Sequence, residues 1–372
     1  MAPKKEKATV KTSGLTYEEA VKVVKAAKGS QSIIGSEIPE YCSVRKIRTG
    51  IPTLDYELGG GISEGRITIM GGKPSSAKTT TTLQGPVSAL INEIKASGET
   101  KFGLIVDSEG GYDSPYARAL GVDEKYLIIK RKKVIEDAFQ EIDDLISMGL
   151  IKFLVIDSLD TMVSKKGDDN KYAATMGGTA GALAQHLPVL YEKIMEWNVT
   201  TIIIKQARVK IGGFNPTGNE IIQLSGGYAL KHLADSIFIV NRLSNKNLSY
   251  TPIQLKAVKT RSSRLGLIMD MPLGSCGIDV VHDAIALAIG HGLITTGGGG
   301  WTQLDDDQGK ILVREQGLDK FVAKIKDSAT LTQSLIDSVY LNIIDTALVG
   351  RNTTEGGDLI SDIENEKEKV EE

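Results

Sequence analysis

The chain has 372 residues, 41% of them hydrophobic and 24% charged, with a formal net charge of −3. That length suits one large core with an appendage, or two domains, and the composition is that of a globular protein. No apolar run is long enough to span a bilayer (Ala284–Ile289 falls far short). The basic start Met1–Lys7 lacks the apolar stretch of a signal peptide, Cys42 and Cys276 form no Cys-x-x-Cys, and the four histidines have no metal-ligand spacing. A cytoplasmic protein with reduced thiols and no membrane partner is expected.

Residues 1–12 are polar and basic. Thr16 is placed to cap a helix over Tyr17–Ala27 whose Ala20, Val21, Val24 and Ala27 share one face. A helix that short must bury its face on the chain's own core or on a neighbouring subunit. From Ile51 the pattern becomes α/β. A helix led by Ile51–Asp55 ends at Gly59-Gly60-Gly61, and a strand over 66–70 precedes a small-residue loop and a helix reaching about Lys95. Apolar strands are expected at Phe102–Val106, Leu127–Ile129, Lys152–Ile156 and Thr200–Ile204. Between them lie helices near Tyr116–Leu120, Val134–Met148 and Ala182–Trp197. Two glycine-rich interruptions, Ser164–Gly181 and Arg208–Gly227, break the alternation. Three β-patterned runs follow at Ser236–Val240, Ile253–Val258 and Leu267–Met271, then helices at Asp283–Gly290, Leu318–Ile325 and Leu331–Leu348. Strands alternating with helices give an α/β fold with a mainly parallel, doubly covered sheet, extended on one edge by antiparallel strands. The predicted division is an N-terminal tail and helix (1–45), a core (46–282), a small helical C-terminal lobe (283–352) and an acidic tail (353–372).

The stretch Gly72, Lys73, Pro74, Ser75, Ser76, Ala77, Lys78, Thr79, Thr80 runs from an apolar strand into a helix. Small residues let backbone N–H groups turn inward around an anion, and the helix points its positive end at the same place. Lys78 would reach the β- and γ-phosphates of a nucleotide, and the Thr79 hydroxyl would sit on Mg²⁺. Ala77 stands where the phosphate-loop pattern has its second glycine, which is tolerable if φ there is negative and costly if it is positive. An ordinary strand-to-helix turn is the plainer alternative.

Doubly wound sheets bind ligands at the carboxyl ends of their strands. Here those ends carry Asp107-Ser108-Glu109, Asp157-Ser158 and Lys205-Gln206. Asp157 suits the Mg²⁺ carboxylate, Glu109 the base that activates water, and Gln206 an amide that senses the γ-phosphate and passes the change to the loop beyond it. Taken singly, each carboxylate is as often a helix cap. Charge is unevenly spread: ten basic residues against two acidic ones lie between Lys205 and Arg264, while Asp358–Glu372 holds seven acids against Lys367 and Lys369. A basic face with an acidic tail suits a polyanion whose entry the tail restrains.

Over Lys46–Leu293 the chain resembles the RecA-type strand-exchange recombinases. The matching stretches are Gly59–Arg66, Asp107–Gly111, Tyr116–Asp123, Val155–Ser158, Arg208–Gly212, Gly226–Lys231 and Val258–Arg261. Gly277–Leu293 followed by Trp301 is similar to the phage UvsX branch, and a phage source would place the protein in the host cytoplasm. The resemblance implies a RecA-like P-loop NTPase core using ATP and Mg²⁺, with Glu109 as catalytic base, Tyr116 stacking on adenine and Asp113 as its polar neighbour. Lys259 and Arg261 match a basic pair that reaches the next subunit's ATP in the family filament. The glycine-rich interruptions match its DNA-binding loops: the first with Lys165, Lys166, Lys171, Met176 and Gly177, the second with Arg208, Lys210, Gly212, Gly213, Phe214, Gly226 and Gly227. Phe214 or Met176 would wedge between bases, and binding would be sequence-independent and salt-sensitive.

The expected function is a DNA-dependent ATPase that forms helical filaments on single-stranded DNA and pairs it with homologous duplex DNA, aided by single-strand-binding and loading proteins. The alternatives are a hexameric helicase-like motor on the same core and a non-catalytic, nucleotide-binding recombination mediator.

Overall fold

The computed structural model describes residues 16, 18, 21–22, 44–165, 176–209, 222–224, 227–243, 250–261, 268–306 and 308–348. The chain divides into two units, Met1–Arg45 and Lys46–Glu372. In the first, Glu18, Val21 and Lys22 are helical, within the expected helix; most of that helix, the basic start and the acidic tail lie outside the described residues.

In the second unit the strands are β1 (Lys46–Ile47), β2 (Ile62–Ser63), β3 (Ile67–Gly72), β4 (Phe102–Asp107), β5 (Leu127–Lys130), β6 (Ile151–Asp157), β7 (Thr200–Val209), β8 (Ile222–Leu224), β9 (Ser236–Arg242), β10 (Thr251–Lys259), β11 (Ile268–Gly274), β12 (Gly277–Ile278), β13 (Ile294–Gly297), β14 (Trp301–Asp305) and β15 (Ile311–Gln316). The main sheet runs β12-β11-β10-β9-β3-β7-β6-β4-β5. From β9 to β5 every pairing is parallel, and β10, β11 and β12 extend the β9 edge antiparallel. This is the α/β architecture the pattern predicts.

The inner strands are apolar because helices cover both faces. One face packs Leu83, Val87, Leu90 and Ile91 on Met70, Ile105 and Ile204. The other packs the helices Ile135–Ser147 and Met176–Glu196 on Leu104, Leu154, Ile156 and Ile203. Ile135, Ala138, Phe139, Ile142 and Ile146 are all buried, at the three- and four-residue spacing that puts them on one helix face. Each of the isoleucines and Phe139 contributes about 1.5–3 kcal/mol by leaving water. Close approach requires glycine at Gly103, where a Cβ would run into the Phe153 ring.

Several boundaries differ from the sequence reading, each for a local reason. The helix expected to run on to Lys95 is broken into Lys78–Thr82, a π-turn over Leu83–Val87 and Ser88–Ser97; Pro86 lacks the N–H an α-turn needs. The helix expected from Ala182 begins at Met176, so Met176 and Gly177 belong to a helix rather than to a loop. Strand β7 runs on to Val209, because β8 pairs antiparallel with Ala207–Val209 and forms a stem under the second glycine-rich segment. The C-terminal lobe has its expected helices, Leu318–Lys326 and a second from Ala329 to Val339 that continues through a π-turn over Tyr340–Asp345. It adds the three-stranded antiparallel sheet β13-β14-β15, whose period-two burial (Thr302 and Leu304 in, Trp301 out) is short and polar enough to escape notice.

The lobe is tied to the core through two buried carboxylates. Asp55 accepts hydrogen bonds from Thr49 N and Oγ1 (both 2.7 Å), Gly50 N (3.1 Å) and the Tyr340 hydroxyl (2.7 Å). Asp283, on the helix Val280–Gly290, accepts from Thr53 N at 2.8 Å, and its other oxygen is buried without a partner. Burial pushes the Asp55 carboxyl up to about 6 and the Asp283 carboxyl up to about 7, the latter against an ordinary value of 3.8. The folded state thus favours protonated Asp283. Its stabilising effect is full below pH 3.8 and is lost as the pH rises through about 7. Asp283→Asn, which cannot ionise, should therefore gain stability relative to the parent by about 2–3 kcal/mol between pH 5 and pH 8. Denaturant unfolding at the two pH values measures this, and a parent–variant difference that does not change with pH would show that Asp283 does not titrate as described.

Candidate active site

The carboxyl ends of β3, β4, β6 and β7 meet at one edge of the sheet. Gly72 lies beside Gln206 on one side and Val240 on the other, and Asp107 lies beside Asp157. They border a cleft of about 570 Å³ lined by Pro74–Thr80, Glu109, Tyr116, Asp157 and Gln206. Arg242, Leu273, Gly274 and Ser275 complete the lining. The sequence reading did not assign these four, although Arg242 closes the strand next to β3 and Gly274-Ser275 form the β11–β12 turn.

The loop after β3 has the shape of an anion cradle. Ser75 and Ala77 both take left-handed backbone, with φ of 61° and 72°. Thr81 N and Oγ1 both donate to the Ala77 carbonyl at 2.9 Å, closing the first turn of the helix Lys78–Thr82. A Cβ on Gly72 would lie 2.5 Å from the Val240 carbonyl oxygen, so only glycine fits there. The Ser76 hydroxyl is buried within the loop without a partner, as expected of a group whose partner is a phosphate oxygen. Lys78 Nζ donates to the Lys73 carbonyl at 2.7 Å. Burial lowers the Lys78 pKa, opposed by the charges of Asp157, Glu109 and Asp160.

Thr79 Oγ1 donates to Asp157 Oδ2 at 2.8 Å, bringing together the hydroxyl and carboxylate expected on Mg²⁺. Burial pushes the Asp157 carboxyl up to about 6; the Thr79 bond opposes this, and the charges of Glu109 and Asp107 add to it. A hydroxyl–carboxylate pair facing a phosphate cradle is a hard oxygen donor set of the kind Mg²⁺ takes, and a bound cation would keep Asp157 ionised. Asp107 is buried and structural. Its oxygens accept from Gly110 N (2.7 Å), Gly111 N (3.1 Å) and Tyr112 N (3.1 Å), folding the turn that holds Glu109 at the cleft. Glu109 accepts from the Ser158 hydroxyl and, at 3.3 Å, from Gln206 Nε2. The base and sensor inferred separately from two strand ends therefore touch.

Tyr116 lines the cleft, 37% exposed, its hydroxyl 3.0 Å from Thr80 Oγ1. Asp113 caps the helix Ser114–Ala119 by accepting from Tyr116 N at 2.8 Å, so within this chain it positions Tyr116. Lys259 and Arg261 are not at this cleft. Lys259 pairs with Ile237, at the amino edge of the parallel strands, and its ammonium donates to the carbonyls of Lys231 (2.7 Å), His232 (3.1 Å) and Ala234 (2.6 Å). There it caps the end of the helix Gly227–Leu233.

The expected DNA contacts are only partly described. Lys165 is ion-paired with Asp137, and its N–H donates to Glu136 at 3.0 Å, pinning the entrance of the first interruption. Arg208 lies in β7 opposite Gln223, and Gly227 opens a helix. Lys166, Lys171, Lys210, Gly212, Gly213, Phe214 and Gly226 lie outside the described residues. Lys205, counted in the basic stretch, is 1% exposed and ion-paired with Asp160 at 2.9 Å, so it forms no part of an open basic face.

The left-handed conformation at Ala77 bears on stability. A β-carbon there costs about 1–2 kcal/mol. Ala77→Gly removes that cost while adding about 0.4–1 kcal/mol of unfolded-chain entropy. The variant should unfold at higher denaturant, with a net gain of about 0.5–1 kcal/mol; equal or lower stability would contradict the assigned conformation.

Comparison with known proteins places this geometry in a family. The RecA N-terminal domain family matches residues 16–291. RecA of Fusobacterium nucleatum subsp. nucleatum is 32% identical over 335 residues, covering 85% of this chain and 85% of that protein. RecA of Leifsonia xyli subsp. xyli is 30% identical over 291 residues (76% and 78%), and RecA of Corynebacterium diphtheriae 28% over 354 residues (91% and 90%). These relatives do not bear on the phage branch, so that narrower likeness rests on the sequence motifs. The matched span takes in the whole main sheet, the phosphate loop and both glycine-rich interruptions, and the chain belongs to the RecA family of DNA recombination and repair proteins.

Proposed function

We propose that the protein polymerises on single-stranded DNA as a helical filament, binds ATP between subunits, and pairs the bound strand with homologous duplex DNA for strand exchange. The observation that carries this reading is the Gln206–Glu109 hydrogen bond at 3.3 Å, on a strand that runs without interruption into the stem of the second glycine-rich segment. A change at the γ-phosphate would move Gln206, and Gln206 is one residue from the first partner pair of that stem, Ala207–Leu224. DNA occupancy and ATP state would then be reciprocally coupled.

In this reading Lys78 and the loop N–H groups hold the phosphates, Tyr116 stacks on the base, and Glu109 takes a proton from the attacking water. Mg²⁺ held by Thr79 and Asp157 would neutralise charge developing on the phosphates. Lys259 and Arg261 sit at the opposite sheet edge from their own cleft, which suits a role at a neighbour's. Lys259 would have to leave its helix cap to reach that far. Contacts between unlike edges generate an open filament when the rotation does not close. Single-strand-binding and loading proteins, and a cytoplasmic setting, belong to the same proposal.

Glu109→Gln should lower ATP turnover at least about a hundredfold while prolonging binding to single-stranded DNA; unchanged turnover would remove Glu109 from its role. The inter-subunit site has its own test. Arg261→Ala and Lys78→Ala should each lower hydrolysis about a hundredfold, roughly 2.7 kcal/mol of barrier. Mixing the two variants should restore activity above either alone, because some interfaces then combine an intact phosphate loop with an intact Arg261. No restoration on mixing would place Arg261 outside a shared site.

A further inference from the structure

We propose that Asp160 is a positioning residue for hydrolysis: its carboxylate, anchored by the buried ammonium of Lys205, clamps the Gln206 backbone so that the Gln206 amide stays on Glu109. The proposal rests on the reading of Gln206 as the link between the cleft and the second glycine-rich segment.

Lys205 is among the largest fully buried side chains, at 1% exposure. A buried ammonium is tolerated only when paired, and such a pair adds little stability compared with apolar residues of the same size. Its best-attested use is to fix one arrangement among several. Here the arrangement fixed is specific. Asp160 Oδ1 accepts from Lys205 Nζ at 2.9 Å, and Oδ2 accepts from Gln206 N at 2.6 Å. One carboxylate thus holds the side chain of one β7 residue and the backbone of the next.

The consequence falls on the Gln206 side chain. Its Nε2 reaches Glu109 at 3.3 Å, near the outer limit of a hydrogen bond, so a shift of a few tenths of an ångström at the Gln206 backbone would break it. Asp160 belongs to the short turn Leu159–Thr161, immediately after Asp157-Ser158, and Ser158 also donates to Glu109. A closed circuit results: Glu109, Ser158, the turn bearing Asp160, Gln206, and Glu109 again. Holding β6 to β7 does not require the ion pair, because Phe153–Ile156 already pair in register with Thr200–Ile203. What the pair adds is control of residue 206.

Two double variants separate positioning from packing. Asp160→Leu with Lys205→Met removes both charges and the acceptor while filling the space. Asp160→Asn with Lys205→Met removes both charges and keeps an oxygen for the Gln206 N–H. ATP turnover is measured against ATP concentration with saturating single-stranded DNA, alongside melting temperature. The Leu double variant should lose about tenfold in kcat with KM for ATP within about twofold of the parent, and the Asn double variant should stay within about threefold in kcat at a similar melting temperature. Equal kcat in the two double variants, whether both normal or both depressed, overturns the proposal. Should the Leu variant fail to fold, Asp160→Ala with Lys205→Met takes its place. A parent protein whose hydrolysis ignores single-stranded DNA would refute the DNA-linked function instead, and the Leu–Asn contrast, read on that rate, would still decide the role of Asp160.

Discussion

The arrangement of the site depends on one constraint, the parallel register that sets Gly72 of β3 beside Gln206 of β7. Both strands are buried on both faces, so slipping the register by one residue would turn every side chain to the wrong layer. With β6 and β4 held level in the same way, the phosphate loop, Gln206, Asp157 and the turn bearing Glu109 all emerge at one sheet edge. The antiparallel strand β10 carries Lys259 to the other edge. A subunit with its cleft at one edge and its basic pair at the other suits the head-to-tail assembly proposed above, in which a neighbour's basic pair would complete the site.

The cleft also concentrates what the rest of the fold avoids. Left-handed backbone at Ser75 and Ala77, a buried unpartnered hydroxyl on Ser76, a carboxyl on Asp157 pushed up to about 6 and a lysine pushed down at Lys78 all lie within one short arc. Each is a local rule broken, and broken rules cluster where a ligand supplies the missing partner. A polyphosphate with its divalent cation offers acceptor oxygens to Ser76 and Lys78 and positive charge to Asp157. The apolar layers on either side of the sheet carry the stability that permits this.

Much of the architecture was legible because it obeys simple periods. Runs such as Leu154–Ile156 and Ile202–Ile204 announce strands buried on both faces, and the spacing from Ile135 to Ile146 announces a helix. The phosphate loop, Glu109, Asp157 and Gln206 were legible because strand order predicts which edge they share. What escaped depends on contacts far apart in sequence. No pattern around Lys205 reveals that its ammonium turns inward to Asp160, 45 residues earlier in the chain. Lys259 reads equally well as surface charge, and only the fold shows it under the end of the helix Gly227–Leu233. Asp113, which the family resemblance sets beside the adenine, also caps the helix that carries Tyr116. The strands β13–β15 are too short and polar for their alternation to stand out from a loop.

The central claim is that the cleft hydrolyses ATP in response to DNA, through Glu109 and the Gln206 strand. Steady-state ATP hydrolysis with Mg²⁺, measured with and without single-stranded DNA, tests it most directly. The account predicts that DNA raises the rate at least about tenfold, equivalent to roughly 1.4 kcal/mol of barrier. Equal rates in the two conditions, or no hydrolysis in either, would contradict it.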